Sequence, residues 1–210
     1  MVTCAYYDVS ELEDPVLMAR ALERQPWPER RAKVERYRFA KDKRLCAGAG
    51  VLAADLLRQA GACDLTLGFG EHGKPYLSRH PALHFNLSHS GRLAVCAAAD
   101  LPVGVDVETI QDHGEAVERY CCQASELAWL GRQADRARAF TSLWVRKESY
   151  IKLIGTGLTR EPASFSVIGD DPELDDVRFA EWQVSDALLC VCTRGECAVE
   201  LSPWGPFAGR

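Results

Sequence analysis

Leu93-Ala94-Val95-Cys96-Ala97 is a short apolar run entered from the turn Ser90-Gly91-Arg92, and it has a counterpart far downstream. Leu188-Leu189-Cys190-Val191-Cys192 is equally apolar and follows Ser185-Asp186-Ala187. Each reads as a buried strand bounded by turn residues. Helical patterns precede both. In the first case these are Glu11 to Leu22, then a stretch opened by Pro26 and Pro28, then Leu45, Ala49, Leu52, Ala53, Leu56 and Ala60 up to Gly61. In the second they are Glu115 to Leu130 and Arg136 to Ile154. Strands are expected at Met1–Tyr7, Leu65–Phe69, Leu83–Leu87, Leu93–Ala98 and Val103–Glu108. Further strands are expected at Phe165–Ile168, Val177–Val184, Ala187–Thr193 and Cys197–Leu201. The order "helices, then antiparallel strands" thus occurs twice. It predicts an α+β protein of two similar halves, residues 1–101 and 102–210, meeting near Leu101-Pro102.

A chain of 210 residues, 47% hydrophobic and 26% charged, has the composition of a soluble globular protein. Its net charge of −5 argues against a general nucleic-acid binder. Nine scattered cysteines with no C-x-x-C pair indicate neither a zinc ribbon nor a disulfide framework, and read as reduced thiols. The first residues lack a basic leader and no apolar run is long enough to span a bilayer, so a cytoplasmic protein is expected. The two similar halves suggest a monomer with internal pseudo-twofold symmetry.

Two segments concentrate carboxylates. In Val103-Gly104-Val105-Asp106-Val107-Glu108 the acids are two residues apart, so on a strand both leave the face opposite the valines. Such a face meets water or holds a cation, because like charges this close repel unless neutralised. In Trp144-Val145-Arg146-Lys147-Glu148-Ser149-Tyr150-Ile151-Lys152, Glu148 and Lys152 lie one helical turn apart. Alone they would make a solvated pair; together with Asp106 and Glu108 they suggest a hard-cation site with room for phosphate oxygens. Lys147 falls within the apolar stripe Phe140, Leu143, Ile151 and Ile154, and a buried lysine needs an anionic partner.

Three more segments suit anions. Phe85-Asn86-Leu87-Ser88-His89-Ser90 alternates polar and apolar positions and offers small hydroxyls with a histidine. Gly73-Lys74-Pro75 presents a lysine from a turn. Between Glu29 and Arg44, eight basic residues face three acidic ones, a local excess inside an acidic chain. No G-x-S-x-G elbow marks a serine nucleophile.

In order and spacing these pieces resemble the Sfp-type (surfactin-synthetase-activating) 4′-phosphopantetheinyl transferases. The matching residues are Gly73-Lys74-Pro75, Phe85 to Ser90, Gly104 to Glu108, and Trp144 to Ser149 with Lys152, Gly155 and Gly157-Leu158. The resemblance implies a pseudo-twofold pair of α+β halves, each a helical layer on a mainly antiparallel sheet. It implies transfer of the phosphopantetheine arm of coenzyme A to a serine of an apo acyl or peptidyl carrier protein, with release of adenosine 3′,5′-bisphosphate. By the same resemblance Asp106, Glu108 and Glu148 would hold Mg²⁺, and Lys152 and His89 would contact the diphosphate. Lys74 and Ser88 would bind phosphate groups of coenzyme A, and Arg44, Lys33 and Arg30 the ribose 3′-phosphate. Glu148 would serve as general base. The carrier would dock on an apolar patch around Cys121 to Leu130. A coenzyme A diphosphate hydrolase and a non-catalytic coenzyme A binder are the competing readings.

Overall fold

The computed structural model describes residues 1–205. The chain opens with β1 (Val2–Asp8), a 3₁₀ turn at Val9–Glu13, and helices α1 (Pro15–Glu23), α2 (Pro28–Arg36) and α3 (Ala40–Gln59). Pro15 and Pro28 each stand in the first turn of their helices, where the missing N–H costs nothing. Tyr37 and Phe39 are extended, so the basic segment is split between α2 and α3. Strands β2 (Leu67–Phe69), β3 (Pro75–Leu77), β4 (His84–Ser90), β5 (Leu93–Ala99) and β6 (Val103–Thr109) follow. The second stretch runs α4 (Glu115–Cys121), α5 (Ala124–Leu130), α6 (Arg136–Ile154), β7 (Val177–Val184), β8 (Ala187–Arg194) and β9 (Val199–Pro203).

Three expectations are corrected. Phe165–Ile168 is not a strand. Side chains take its backbone N–H groups: Asp171 that of Ser166, Glu126 that of Val167, and the Ser166 hydroxyl that of Ile168. Phe165 and Val167 are core residues all the same. The segment after Gly73 is a short strand, β3, paired with β2, rather than only a turn. The last strand, β9, runs parallel to β1 and so lies in the sheet of the opening stretch.

Beside the β2-β3 hairpin, two larger sheets form, ordered β4-β5-β1-β9 and β6-β8-β7. The two alike apolar runs, now β5 and β8, are each flanked on both sides and are wholly buried but for Arg194. Their alternation builds a four-layer stack. Leu93, Val95, Ala97 and Ala99 join Val2 and Cys4 against Val103, Val105, Val107, Leu189 and Val191, which is the contact between the sheets. The opposite phase of β5, Ala94, Cys96 and Ala98, lies under α3 in a second core. On β8 the opposite phase is Leu188, Cys190 and Cys192, covered by α6. An α+β architecture with a long helix on the outside of each sheet is therefore observed.

With its valines in the inter-sheet core, β6 turns Gly104, Asp106 and Glu108 toward α6. The helix passes so close at Gly104 that a Cβ there would stand 1.9 Å from the Ser149 carbonyl oxygen and 2.6 Å from the Leu153 nitrogen. The acidic face of the strand therefore meets neither open water nor apolar core, but one flank of a helix. That flank carries Trp144, Glu148 and Lys152 at four-residue spacing.

Candidate active site

A cleft of about 560 Å³ opens where β4, β6, α2 and α6 approach one another. Its lining is rich in both signs of charge: Arg30 and Lys33 from α2, His89 from β4 and Lys152 from α6 are basic, while Asp106 and Glu108 from β6 and Glu148 from α6 are acidic. Lys152 and Asp106 are in direct contact. Ser88, Asn86, Tyr37, Cys46 and Trp144 also line the cleft. Eight of the ten residues singled out in the sequence are thus brought together. They come from elements far apart in the chain.

Asp106 is 2% exposed, the depth at which a carboxylate needs partners. Its Oδ1 accepts from the Lys152 ammonium and from the Ser88 hydroxyl, each at 2.6 Å, and Lys152 also donates to Ser88 Oγ at 2.8 Å. Its Oδ2 is buried and has no hydrogen-bond partner. Glu108 accepts from the Ser90 hydroxyl at 2.7 Å. Burial raises its carboxyl above the ordinary value, and Asp106 adds to the rise, while the Ser90 hydroxyl works against it. The Glu148 carboxyl is raised too, first by burial and then by Asp106, with Lys152 opposing. Negative charge is therefore crowded here, with Lys152 opposing the rise at both glutamates. Among the described residues no group of three or more His, Cys, Asp and Glu side chains is arranged to hold a metal ion. The three carboxylates share the cleft without forming such a group.

His89 sits on the same face of β4 as Phe85 and Leu87, beyond the apolar core they join. Desolvation, then Lys152 and Arg30, hold its imidazolium below the usual range, so the neutral ring is favoured. The guanidinium of Arg30 lies 6.0 Å from the Trp27 ring centre, and the Lys33 ammonium 5.8 Å from that of Tyr37. Both cations are parked on aromatic faces at the cleft edge.

Arg44 and Lys74 do not line the cleft. Arg44 forms an ion pair with Glu13 at 3.2 Å. The Lys74 ammonium turns onto main-chain carbonyls of β6 and of the last turn of α6. In the segment Cys121 to Leu130, Cys121, Cys122 and Leu130 are buried in the core under α6, Leu127 and Trp129 are half-buried, and the large exposed apolar side chains nearby are Val117 and Tyr120 on α4.

Sequence reasoning passed over Ser90 and Asn86 as individual site residues. The Asn86 amide oxygen accepts from the Val105 N–H at 2.9 Å, fixing the strand that carries Asp106. The every-second-residue placement of Asn86, Ser88 and Ser90 was the available signal, since it puts all three on the face of β4 that meets β6.

Two family models account for most of the chain. "4′-phosphopantetheinyl transferase, N-terminal" matches residues 17–101, and "4′-phosphopantetheinyl transferase superfamily" matches residues 102–194. The chain is 32% identical over 187 residues to 4′-phosphopantetheinyl transferase psf-1 of Bacillus pumilus, covering 82% of this chain and 80% of that protein. This chain belongs to the 4′-phosphopantetheinyl transferase superfamily. Other relatives in the superfamily are matched over less of their length. 4′-phosphopantetheinyl transferase Sfp of Bacillus subtilis (strain 168) is 33% identical over 145 residues, 67% of this chain and 65% of Sfp. L-aminoadipate-semialdehyde dehydrogenase-phosphopantetheinyl transferase of Xenopus laevis is 32% identical over 154 residues, 62% of this chain and 50% of that protein. The enzyme class of this transferase is therefore established by kinship, and no described helix is long and apolar enough to cross a membrane.

Proposed function

We propose that this transferase moves the 4′-phosphopantetheine arm of coenzyme A onto a serine hydroxyl of an apo carrier protein and releases adenosine 3′,5′-bisphosphate. The observation that carries the reading is the two-signed cleft, which gathers Arg30, Lys33, His89 and Lys152 with Asp106, Glu108 and Glu148. A polyanionic donor suits the basic side chains. Arg30 and Lys33 would take the ribose 3′-phosphate, and Lys152 and His89 the diphosphate. Lys152 contributes charge and His89 a neutral donor, while Ser88 gives its one proton to Asp106 and accepts from Lys152, holding that lysine in place.

The donor chemistry of the three carboxylates suits a hard divalent cation. Asp106 Oδ2 is a buried carboxylate oxygen with nothing bonded to it, and Glu108 and Glu148 are carboxyls whose charge is under-compensated. Asp106, Glu108 and Glu148 would hold Mg²⁺, which when bound neutralises charge on the diphosphate and its leaving oxygen.

The remaining chemistry belongs to the chain. The attacking serine would be that of the carrier, while the Ser88 hydroxyl stays bonded to Asp106 and Lys152. Glu148, with its raised carboxyl, accepts the proton of that serine. The serine oxygen bonds to the phosphorus that bears pantetheine, and the bond from that phosphorus to the bridging oxygen breaks. The bridging oxygen leaves on adenosine 3′,5′-bisphosphate. Lys152 stays against Asp106 and holds the diphosphate in line, so rate comes from positioning and electrostatics.

The test is direct. Purified protein is incubated with coenzyme A, Mg²⁺ and a panel of apo carriers, and each carrier is weighed by intact mass spectrometry. Gain of one phosphopantetheine arm on the carrier serine is expected. No gain on any carrier overturns the reading, and release of adenosine 3′,5′-bisphosphate without a carrier would replace it with hydrolysis.

A further inference from the structure

The strand β6 is an edge strand of its sheet, and among the described residues no strand pairs with its side away from β8. An open edge inside a protein would leave main-chain groups without partners. Here side chains from residues 74–90 supply them. Lys74 Nζ donates to the Val103 carbonyl at 3.2 Å, Asn86 Oδ1 accepts from the Val105 N–H, and Ser90 Oγ accepts from the Thr109 N–H at 3.3 Å. The residues served, Val103, Val105 and Thr109, all lie in one phase of the strand.

Lys74 does more than cap an edge. Its ammonium also donates to the carbonyls of Lys152 at 2.6 Å and Leu153 at 3.0 Å. These belong to the last turn of α6, where carbonyls have no N–H of their own helix to meet and where a cation suits the helix dipole. An ammonium has three protons, and all three find carbonyls here. The stem of the side chain runs beside Gly155, where an added Cβ would lie 3.2 Å from Lys74 Cδ. Gly155 ends α6 in the left-handed conformation, with φ of 73°.

We propose that Lys74 is a positioning residue that ties the β2–β3 hairpin to β6 and to the last turn of α6, and so fixes Lys152 against Asp106 and Ser88. A ligand for a phosphate of coenzyme A would need a free proton on this ammonium, and its protons are all engaged. The anchoring itself stands on the geometry alone; its consequence for turnover rests on the proposed function.

Two experiments test it, and the first works on the unaltered protein. Reductive methylation followed by peptide mass spectrometry reads the reactivity of each lysine with and without coenzyme A. Lys74 is expected to react slowly in both conditions, whatever coenzyme A does. Rapid labelling of Lys74 in the free protein, suppressed by coenzyme A, overturns the proposal. If coenzyme A alters no lysine, the proposed function is in difficulty while slow labelling of Lys74 still upholds the anchor.

The second compares Lys74→Met with Lys74→Arg. Both are expected to raise amide hydrogen exchange in the last turn of α6. Both should lower kcat by about tenfold or more while the Kd for coenzyme A changes by less than about threefold. Arginine keeps the charge, but its planar fork cannot serve three converging carbonyls, so it should not rescue. Rescue by arginine, or a Kd for coenzyme A weakened about tenfold with exchange unchanged, overturns the proposal.

Discussion

The Lys147 ammonium and Glu126 Oε2 stand 2.8 Å apart, and neither side chain has any exposed surface. The pair joins α5 to α6 at the centre of the second core. Its remaining valences are filled. Lys147 also donates to the carbonyls of Pro162 at 2.8 Å and Phe165 at 2.5 Å. Glu126 accepts from the N–H groups of Gln123 and Val167. A buried ion pair contributes little relative to apolar side chains of the same size, yet breaking one partner is costly because the other charge is stranded. Glu126→Gln should therefore lose about 3–5 kcal/mol of stability. The double change Glu126→Met with Lys147→Met should lose less than the sum of its single changes. Urea unfolding of the four proteins checks this, and strict additivity would count against the pair.

Removing the carboxylate of Glu148 should separate activity from stability. Glu148→Gln is expected to lower turnover by about 10²–10³ fold, the scale on which a preorganised charged group acts. Its melting temperature should not fall, because the carboxyl it replaces is raised by burial and by Asp106. Asp106→Ala should also lose activity while remaining folded. Carrier-loading rates and thermal melts of both variants give the answer; full activity in either refutes the roles assigned to these carboxylates.

Gly104 tests the approach of strand and helix. A methyl group there would meet main-chain atoms of α6 at 1.9 and 2.6 Å, and main chain cannot swing aside as a side chain can. Gly104→Ala should cost at least about 1–3 kcal/mol, the usual scale of overpacking, and should also weaken the meeting of Asp106 with Lys152. A variant with wild-type unfolding midpoint and activity would show that α6 does not lie where described.

Burial lowers the Lys74 ammonium to about 8 from its ordinary 10.5. The unfolded chain then holds this proton more tightly than the folded one. The resulting penalty is fully present below pH 8 and disappears as pH rises from about 8 to 10.5. Wild type should therefore gain stability relative to Lys74→Met across that window. Paired denaturant melts at pH 7, 9 and 10.5 measure the difference, which cancels the titration of all other groups. A difference that shrinks as pH rises would mean the three carbonyls outweigh desolvation.

Much of the site was legible because it is written in short-range periodicity. Asp106 and Glu108 share a strand face, and Trp144, Glu148 and Lys152 share a helix flank. Neither statement needs more than backbone geometry. The alternation of Asn86, Ser88 and Ser90 was legible in the same way. The pairing of Arg44 with Glu13 was not, nor was the removal of Lys74 from the cleft, since both depend on where distant segments stop. The segment Phe165–Ile168 misled because an apolar run names a buried stretch without naming its hydrogen-bond partners.

By itself the sequence determined the strand and helix periods, the repeated order of elements, and the need of Lys147 for an anion. It also carried the family likeness, in motifs spread along most of the chain. Only the tertiary structure decided that Glu126 is that anion, that the acidic face of β6 meets α6, and that Lys74 serves carbonyls. The physical reason is one of range. Backbone geometry dictates which side chains share a face within a few residues. Which faces then lose their water is settled by packing between segments far apart in sequence, and there the cost of leaving a charge or a main-chain group unpaired selects the partner.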